Sequence, residues 1–287
     1  MRSFFAKIAS FFAALTMLAA YLLGTAAPTA GNGYEVTGQD RLLVADALRA
    51  AQGMCFDGEY YYTSGSVSAL NMTSLAKWDK DLKRVRTASA AVPREFTKTY
   101  GSNHIGGIDT ANGRIYAPVE GKTDKGYEHN FVLLYDCETL QYTGTFYELT
   151  CDRLTDGIPW CAVDEENGLF YTSQYNGADE ILQYDLDTME FIGALPLSET
   201  LNKLQGGAVY DGTLYLSADV SNSVTEVVYA VDLLTGTVRT ELTRNMCSPD
   251  NEAEDIFVYP FADGSLIHVI DYDKLLGVNV THYAKAN

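Results

Sequence analysis

The sequence predicts an all-β protein, a five-bladed β-propeller closed into a ring by a strand from the N-terminal side. Three observations predict it. A four-fold echo closes successive apolar runs at Trp78-Asp79, Tyr135-Asp136, Tyr184-Asp185 and Val231-Asp232. Turn glycines recur at Gly58, Gly113, Gly168, Gly212 and Gly264, spaced by 55, 55, 44 and 52 residues. Several short strands per repeat of about 40–50 residues is the pattern of propeller blades. Finally, the last repeat stops one strand short of the others.

The chain begins MRSFFAKIASFFAALTMLAAYLLGTAAPTAGNG. Arg2 and Lys7 precede an apolar stretch from Ile8 to Leu23, and small residues follow at Gly24 to Ala27. That order is expected of a secretory signal peptide over residues 1–30. An uncleaved N-terminal membrane anchor is the competing reading, because the apolar run lies near the lower spanning limit. Both readings place the folded part outside the cytoplasm, secreted or extracytoplasmic. Residues 31–50 are then a spacer plus one isolated strand candidate, Arg41–Ala47.

The propeller itself is expected over residues 51–287. Its repeats run roughly 51–102, 103–158, 159–203, 204–251 and 252–287, each with apolar-aromatic runs alternating with Gly, Asp and Asn turns. The fifth repeat offers only three strands, near 255–259, 266–271 and 278–283, and lacks the aromatic-Asp pair. Three strands would leave an unpaired edge, which natural sheets avoid. The Arg41–Ala47 segment is the expected fourth strand, and about 20 residues ahead of the first repeat are too few for a sixth blade.

The 287 residues carry a formal net charge of −18, from 38 acidic and 20 basic side chains. Such a surface repels phosphate backbones and excludes nucleic acid as a partner; membrane contact is expected only through an uncleaved N-terminal segment. The expected partner is a small molecule or peptide, and the expected state a monomer. The five cysteines fit no metal-finger or CxxC spacing, and no disulfide framework is expected. No GxSxG elbow, HExxH, phosphate loop or dinucleotide fingerprint is present.

Residues at the starts of the five innermost strands converge on one mouth of a propeller's channel. Here they are Gln52, Asn103-His104, Pro159-Trp160, Gln205 and Glu252-Ala-Glu254-Asp255, flanked by Gly53, Gly106, Gly107, Gly206 and Gly207. Gln52, Asn103, Trp160, Gln205 and Asp255 are the candidate ligand-binding residues, with Trp160 as a stacking surface. His104 is the candidate base and Glu254 its electrostatic or acid partner. Glu254 and Asn103 are candidate ligands for one divalent cation, the only cofactor expected. The alternative is a polar ring that only solvates a water-filled channel. Glu120, Gln174-Tyr175-Asn176 and Asp219 end second strands and form a candidate outer wall.

The repeats resemble those of gluconolactonase-type and strictosidine-synthase-type propellers over residues 51–287. In the gluconolactonase type a divalent cation sits in the channel, and the resemblance assigns Glu254 and Asn103 as its ligands here. Gln52-Gly53-Met54 and Leu204-Gln205-Gly206-Gly207-Ala208 also resemble motifs of propeller-type glutaminyl cyclases, which are five-bladed and exported. The second repeat differs, reading His104-Ile-Gly-Gly-Ile-Asp109 for that family's Glu-Gly-Trp-type run. The third reads Pro159-Trp160-Cys161-Ala162 in place of an Asn-Glu motif. Three functions follow from the sequence: binding of a small polar, sugar or peptide ligand at the channel mouth, a hydrolase or lactonase-like enzyme using His104, and a protein-interaction scaffold.

Overall fold

A computed structural model describes residues 28–43, 46, 48–124, 126–149, 152–220, 225–245, 251–273 and 277–286. The N-terminal apolar segment and the cysteines Cys151 and Cys247 lie outside the described residues. Two strands come first, β1 (Thr29–Ala30) and β2 (Tyr34–Leu43). Blade one follows as β3 (Gly53–Phe56), β4 (Tyr61–Val67), β5 (Met72–Trp78) and β6 (Arg84–Ser89). Blade two has an inner strand broken into β7 (His104–Ile105) and β8 (Asp109–Ala111), then β9 (Arg114–Glu120), β10 (Asn130–Asp136) and β11 (Tyr142–Glu148). Blade three is β12 (Ala162–Asp164), β13 (Leu169–Thr172), β14 (Ala178–Asp185) and β15 (Phe191–Leu201). Blade four is β16 (Leu204–Tyr210), β17 (Thr213–Ala218), β18 (Thr225–Asp232) and β19 (Val238–Asn245). Blade five is β20 (Asn251–Val258), β21 (Ile267–Asp273) and β22 (Gly277–Lys285). Neighbouring strands within each blade pair antiparallel.

The sequence echo is a turn device. Asp136, Asp185 and Asp232 each end the third strand of a blade and Asp79 directly follows it, and one carboxylate oxygen accepts backbone N–H groups from the turn beyond. The bonds are 3.0 and 2.9 Å from Asp81 and Lys83, 3.2 and 2.8 Å from Glu138 and Thr139, 3.2 and 2.8 Å from Asp187 and Thr188, and 3.0 and 2.8 Å from Leu234 and Thr235. An Asp side chain holding its own following turn is a known strand-terminating arrangement. The inner hairpins use a second device: Asn112-Gly113 and Asp211-Gly212 place both residues at positive φ, as two-residue hairpin turns require.

Blade five needs no such Asp because its fourth strand is not the next in sequence. β2 pairs along β22 from Tyr34↔Lys285 to Leu43↔Gly277 and closes the ring. β1 adds to the outside of blade four, against Arg244 and Asn245. The closing strand therefore starts seven residues before the expected Arg41–Ala47 and overlaps it at Arg41–Leu43, while Val44, Ala45 and Ala47 lie outside the described residues. The reason is local. Thr37 is an extra residue between the pairs Val36↔Tyr283 and Gly38↔His282. This bulge swaps the faces of the strand: Tyr34 and Val36 pack with blade four's apolar residues, whereas Leu42 packs with blade one's. A bulged outer strand rich in Glu, Thr, Gln and Asp carries no clean alternation.

Each apolar cluster lies between two adjacent blades. At the axis the inner strands come close enough to touch backbone to backbone. Gly107 N–H donates to Pro159 O at 2.9 Å and Cys161 N–H donates to Gly107 O at 3.2 Å, joining blades two and three. A Cβ on Gly107 would lie 2.8–3.0 Å from the Asp255 carboxyl group, and one on Gly207 would strike the Trp160 ring. These two positions need glycine for space.

Candidate functional site

The starts of the inner strands do converge. His104 opens β7 and sits opposite Glu120, the last residue of β9. Gln52 immediately precedes β3, and Glu254 lies within β20. The Gln52 amide donates from Nε2 to its neighbour's carbonyl, Ala51 O, at 2.7 Å, and to Glu254 Oε1 at 3.3 Å. A carbonyl oxygen only accepts, so the amide orientation is fixed and Gln52 Oε1 faces His104 Nε2 in a short hydrogen bond. His104 therefore carries a hydrogen on Nε2. Its Nδ1 lies 3.6 Å from Glu120 Oε1 and is buried without a hydrogen bond. The other Glu120 oxygen accepts a short bond from the Ile158 N–H, where Gly157 leaves room for the carboxylate. A run Glu120–His104–Gln52–Glu254 thus crosses the mouth from blade two to blade five.

Glu254 is almost wholly buried, and its proton affinity is raised well above the ordinary carboxyl range. Burial is the main cause, followed by the charges of Glu252, Asp219, Asp255 and Asp271. A carboxyl held protonated in this way can donate a hydrogen bond or a proton. Tyr175 is pushed up to about 12 by burial and then by Asp219, Glu254, Glu252 and Asp156, which places its hydroxyl among those acids. Asp219 and Glu226 are both driven upward, chiefly by burial. Glu120, Tyr175 and Asp219, all in the outer wall expected from the sequence, therefore belong to the same mouth.

The other expected site residues are placed differently. Asp255, directly after Glu254, is fully buried beneath the mouth. Its Oδ2 accepts the N–H groups of Met54 and Ile108, both at 3.1 Å, and Oδ1 accepts that of Ile256 at 2.9 Å. Its oxygens are engaged by blades one, two and five rather than offered to a ligand. Trp160 is fully buried against Gly207 between blades three and four, so it presents no stacking face at the mouth. Asn103 turns its amide outward to Ser68 O at 3.1 Å and Asn71 Oδ1 at 2.7 Å, in blade one, and the structure does not bring it to Glu254. Gln205 is half-buried at the start of β16. Among the described residues, no group of three or more His, Cys, Asp or Glu side chains is arranged to hold a metal ion.

A cavity of about 450 Å³ opens at the other end of the channel, lined by residues where the inner strands leave it, among them Cys55, Asp109, Val163, Val209 and Phe257. Asp109 is pushed up to about 7 there, by burial, although the N–H groups of Val163 and Thr110 pull it down. The sequence reading overlooked this end. The signal was Asp109, the first charged residue after Gly106-Gly107 in blade two.

No family model matches the chain, and no curated protein matches it in sequence. Solved structures do match in fold. The glutaminyl cyclase of Myxococcus xanthus superposes with a TM-score of 0.55 at 12% identity, over 88% of this chain and 97% of that one. The exo-β-1,3-galactanase of Phanerochaete chrysosporium, solved with β-1,3-galactotriose, gives 0.57 at 15% identity, over 88% of this chain. This chain spans 64% of the galactanase. The protein is a five-bladed β-propeller with the architecture of these two enzymes. At such identities the likeness extends to the fold alone.

Proposed function

We propose that this propeller is an exported protein that binds a small polar ligand, a sugar or a peptide, at the mouth where its inner strands begin. The observation that carries this reading is the run Glu120–His104–Gln52–Glu254, hydrogen-bonded from His104 through Gln52 to Glu254, with Glu120 3.6 Å from the far side of the imidazole. It sets a half-exposed imidazole and an amide in fixed orientations between two buried carboxyl groups. Donors and acceptors held at fixed positions over a concave opening are what orient a polar ligand.

A second reading is hydrolysis, carried by the same imidazole. With Nε2–H bound to Gln52, the basic nitrogen is Nδ1, which is buried beside Glu120; this reading requires the substrate to reach it there, and Glu120 would then stabilise the imidazolium. Protonated Glu254 would be the acid.

Titration calorimetry with β-1,3-linked galacto-oligosaccharides, amino sugars and short peptides tests binding, and mass spectrometry of the same mixtures tests turnover. We expect Gln52→Ala to weaken binding at least about tenfold with the melting temperature unchanged, since it cuts the run at its centre. Equal affinity in Gln52→Ala and wild type would refute this site. Product formation lost in His104→Ala while binding persists would select the hydrolase.

A further inference from the structure

The closing strand is also held by side chains. His282 on β22 is nearly buried, and its Nε2 lies 3.0 Å from Asp40 Oδ2 on β2. Its Nδ1 lies 2.7 Å from His268 Nδ1 on β21, and His268 Nε2 lies 2.8 Å from Tyr259 O. The hydrogens in this chain can be counted. Tyr259 O only accepts, so His268 carries a hydrogen on Nε2. His268 stacks on Phe257 at 4.5 Å, and burial pushes its proton affinity down to about 3. It is therefore neutral, and its Nδ1 is an acceptor. The 2.7 Å contact then requires a hydrogen on His282 Nδ1. Asp40 as a carboxylate also only accepts, so the 3.0 Å contact needs a further hydrogen on His282 Nε2 or on Asp40 itself. Fully bonded, the pair holds one proton more than a neutral imidazole and an ionised carboxylate bring to it.

We propose that this shared proton is a pH-set clasp on the ring closure, tying β2 to blade five near neutral pH and releasing it in alkaline medium. The groups facing the clasp support it. Asp263, in the turn before β21, acts on both imidazoles, and its own hydrogen bonds from Ser265 hold it below the ordinary carboxylate range, so it stays ionised throughout. Thr37 bonds Asp263 from β2. Phe261 covers His282 at 5.9 Å, and Tyr61 of blade one feels the charge of Asp40.

Opening β2 removes Asp40 but leaves His268 and His282 paired within blade five. The closed state alone offers the shared proton both partners, so it binds that proton more tightly than the opened state does, and closure weakens as rising pH strips the proton away.

Hydrogen exchange of the full chain tests this, comparing β2 amides with β14 amides in blade three at pH 6.5 and 8.5 after correction for intrinsic rates. We expect the β2 protection, relative to β14, to fall at least about tenfold between the two values. In Asp40→Asn a neutral amide satisfies a neutral His282, and the fall should vanish. Imidazole ¹H–¹⁵N correlation at pH 6.5 should show hydrogens on both His282 nitrogens, or one hydrogen with a protonated Asp40. An unchanged β2-to-β14 ratio in the wild type would overturn the proposal. So would a His282 with one hydrogen beside an ionised Asp40 while β2 remains protected. Neither wild-type result depends on a variant folding.

Discussion

Replacing Asp255 by alanine should be among the most damaging single changes in the molecule. The carboxyl group is fully buried where blades meet at the axis, with glycines from blades one, two and four packed around it. It accepts the Met54 N–H from β3 and the Ile108 N–H from the segment between β7 and β8, each at 3.1 Å. Alanine orphans both. A buried donor left unsatisfied costs about 1–3 kcal/mol, so the pair costs about 2–6 kcal/mol. Asparagine keeps one acceptor oxygen for Met54 and Ile108 but turns an NH₂ toward the Ile256 N–H, so it should lose about 1–3 kcal/mol. Urea unfolding followed by the fluorescence of Trp78 and Trp160, both fully buried, reads these losses directly. An alanine variant within about 1 kcal/mol of wild type, with the same denaturant slope, would refute the hub role.

Two more outcomes are expected. Asp109 is pushed up to about 7 by burial, so the folded protein keeps a proton there that the unfolded chain gives up near about 4. Its contribution is fully present below the unfolded value and is lost as pH rises through about 7; Asp109→Asn should flatten the fall in melting temperature between about pH 4 and about pH 7. A chain beginning at Arg41 would retain the expected closing segment but lose most of β2, exposing the edge of β22. It should elute as oligomers in size-exclusion chromatography, where a chain beginning at Pro28 does not.

The blades were legible because each repeat writes its own turn. The aromatic-Asp echo marks a strand end together with the carboxylate that caps the following turn, and both halves are local. Its absence from the last repeat correctly signalled a strand supplied from elsewhere. Where that strand lay was not legible, because the bulge at Thr37 reverses the inward face partway along β2. At the mouth, convergence of strand starts brought Gln52, His104 and Glu254 together, but not the facing of neighbouring residues. Asn103 and His104 are adjacent on an extended segment and so point to opposite sides. Trp160 enters a strand that bridges Gly107 in parallel, and that long-range contact turns the indole into the core.

Glu254 and Asp255 sharpen the distinction between structure and function. Both are buried and both have proton affinities driven upward by burial. Asp255 receives three backbone N–H groups, a complete structural reason for a carboxyl group at the axis. Glu254 receives one long bond from Gln52 and otherwise faces Glu252, Asp219 and Asp271. A fold gains nothing from gathering acids that repel one another, and such local conflicts concentrate at sites kept for chemistry or binding. If the mouth were only a solvated ring, Glu254→Gln should be neutral or stabilising and alter nothing else. On the proposed reading it should stabilise the protein and weaken ligand binding together, and that opposition is what separates the two accounts.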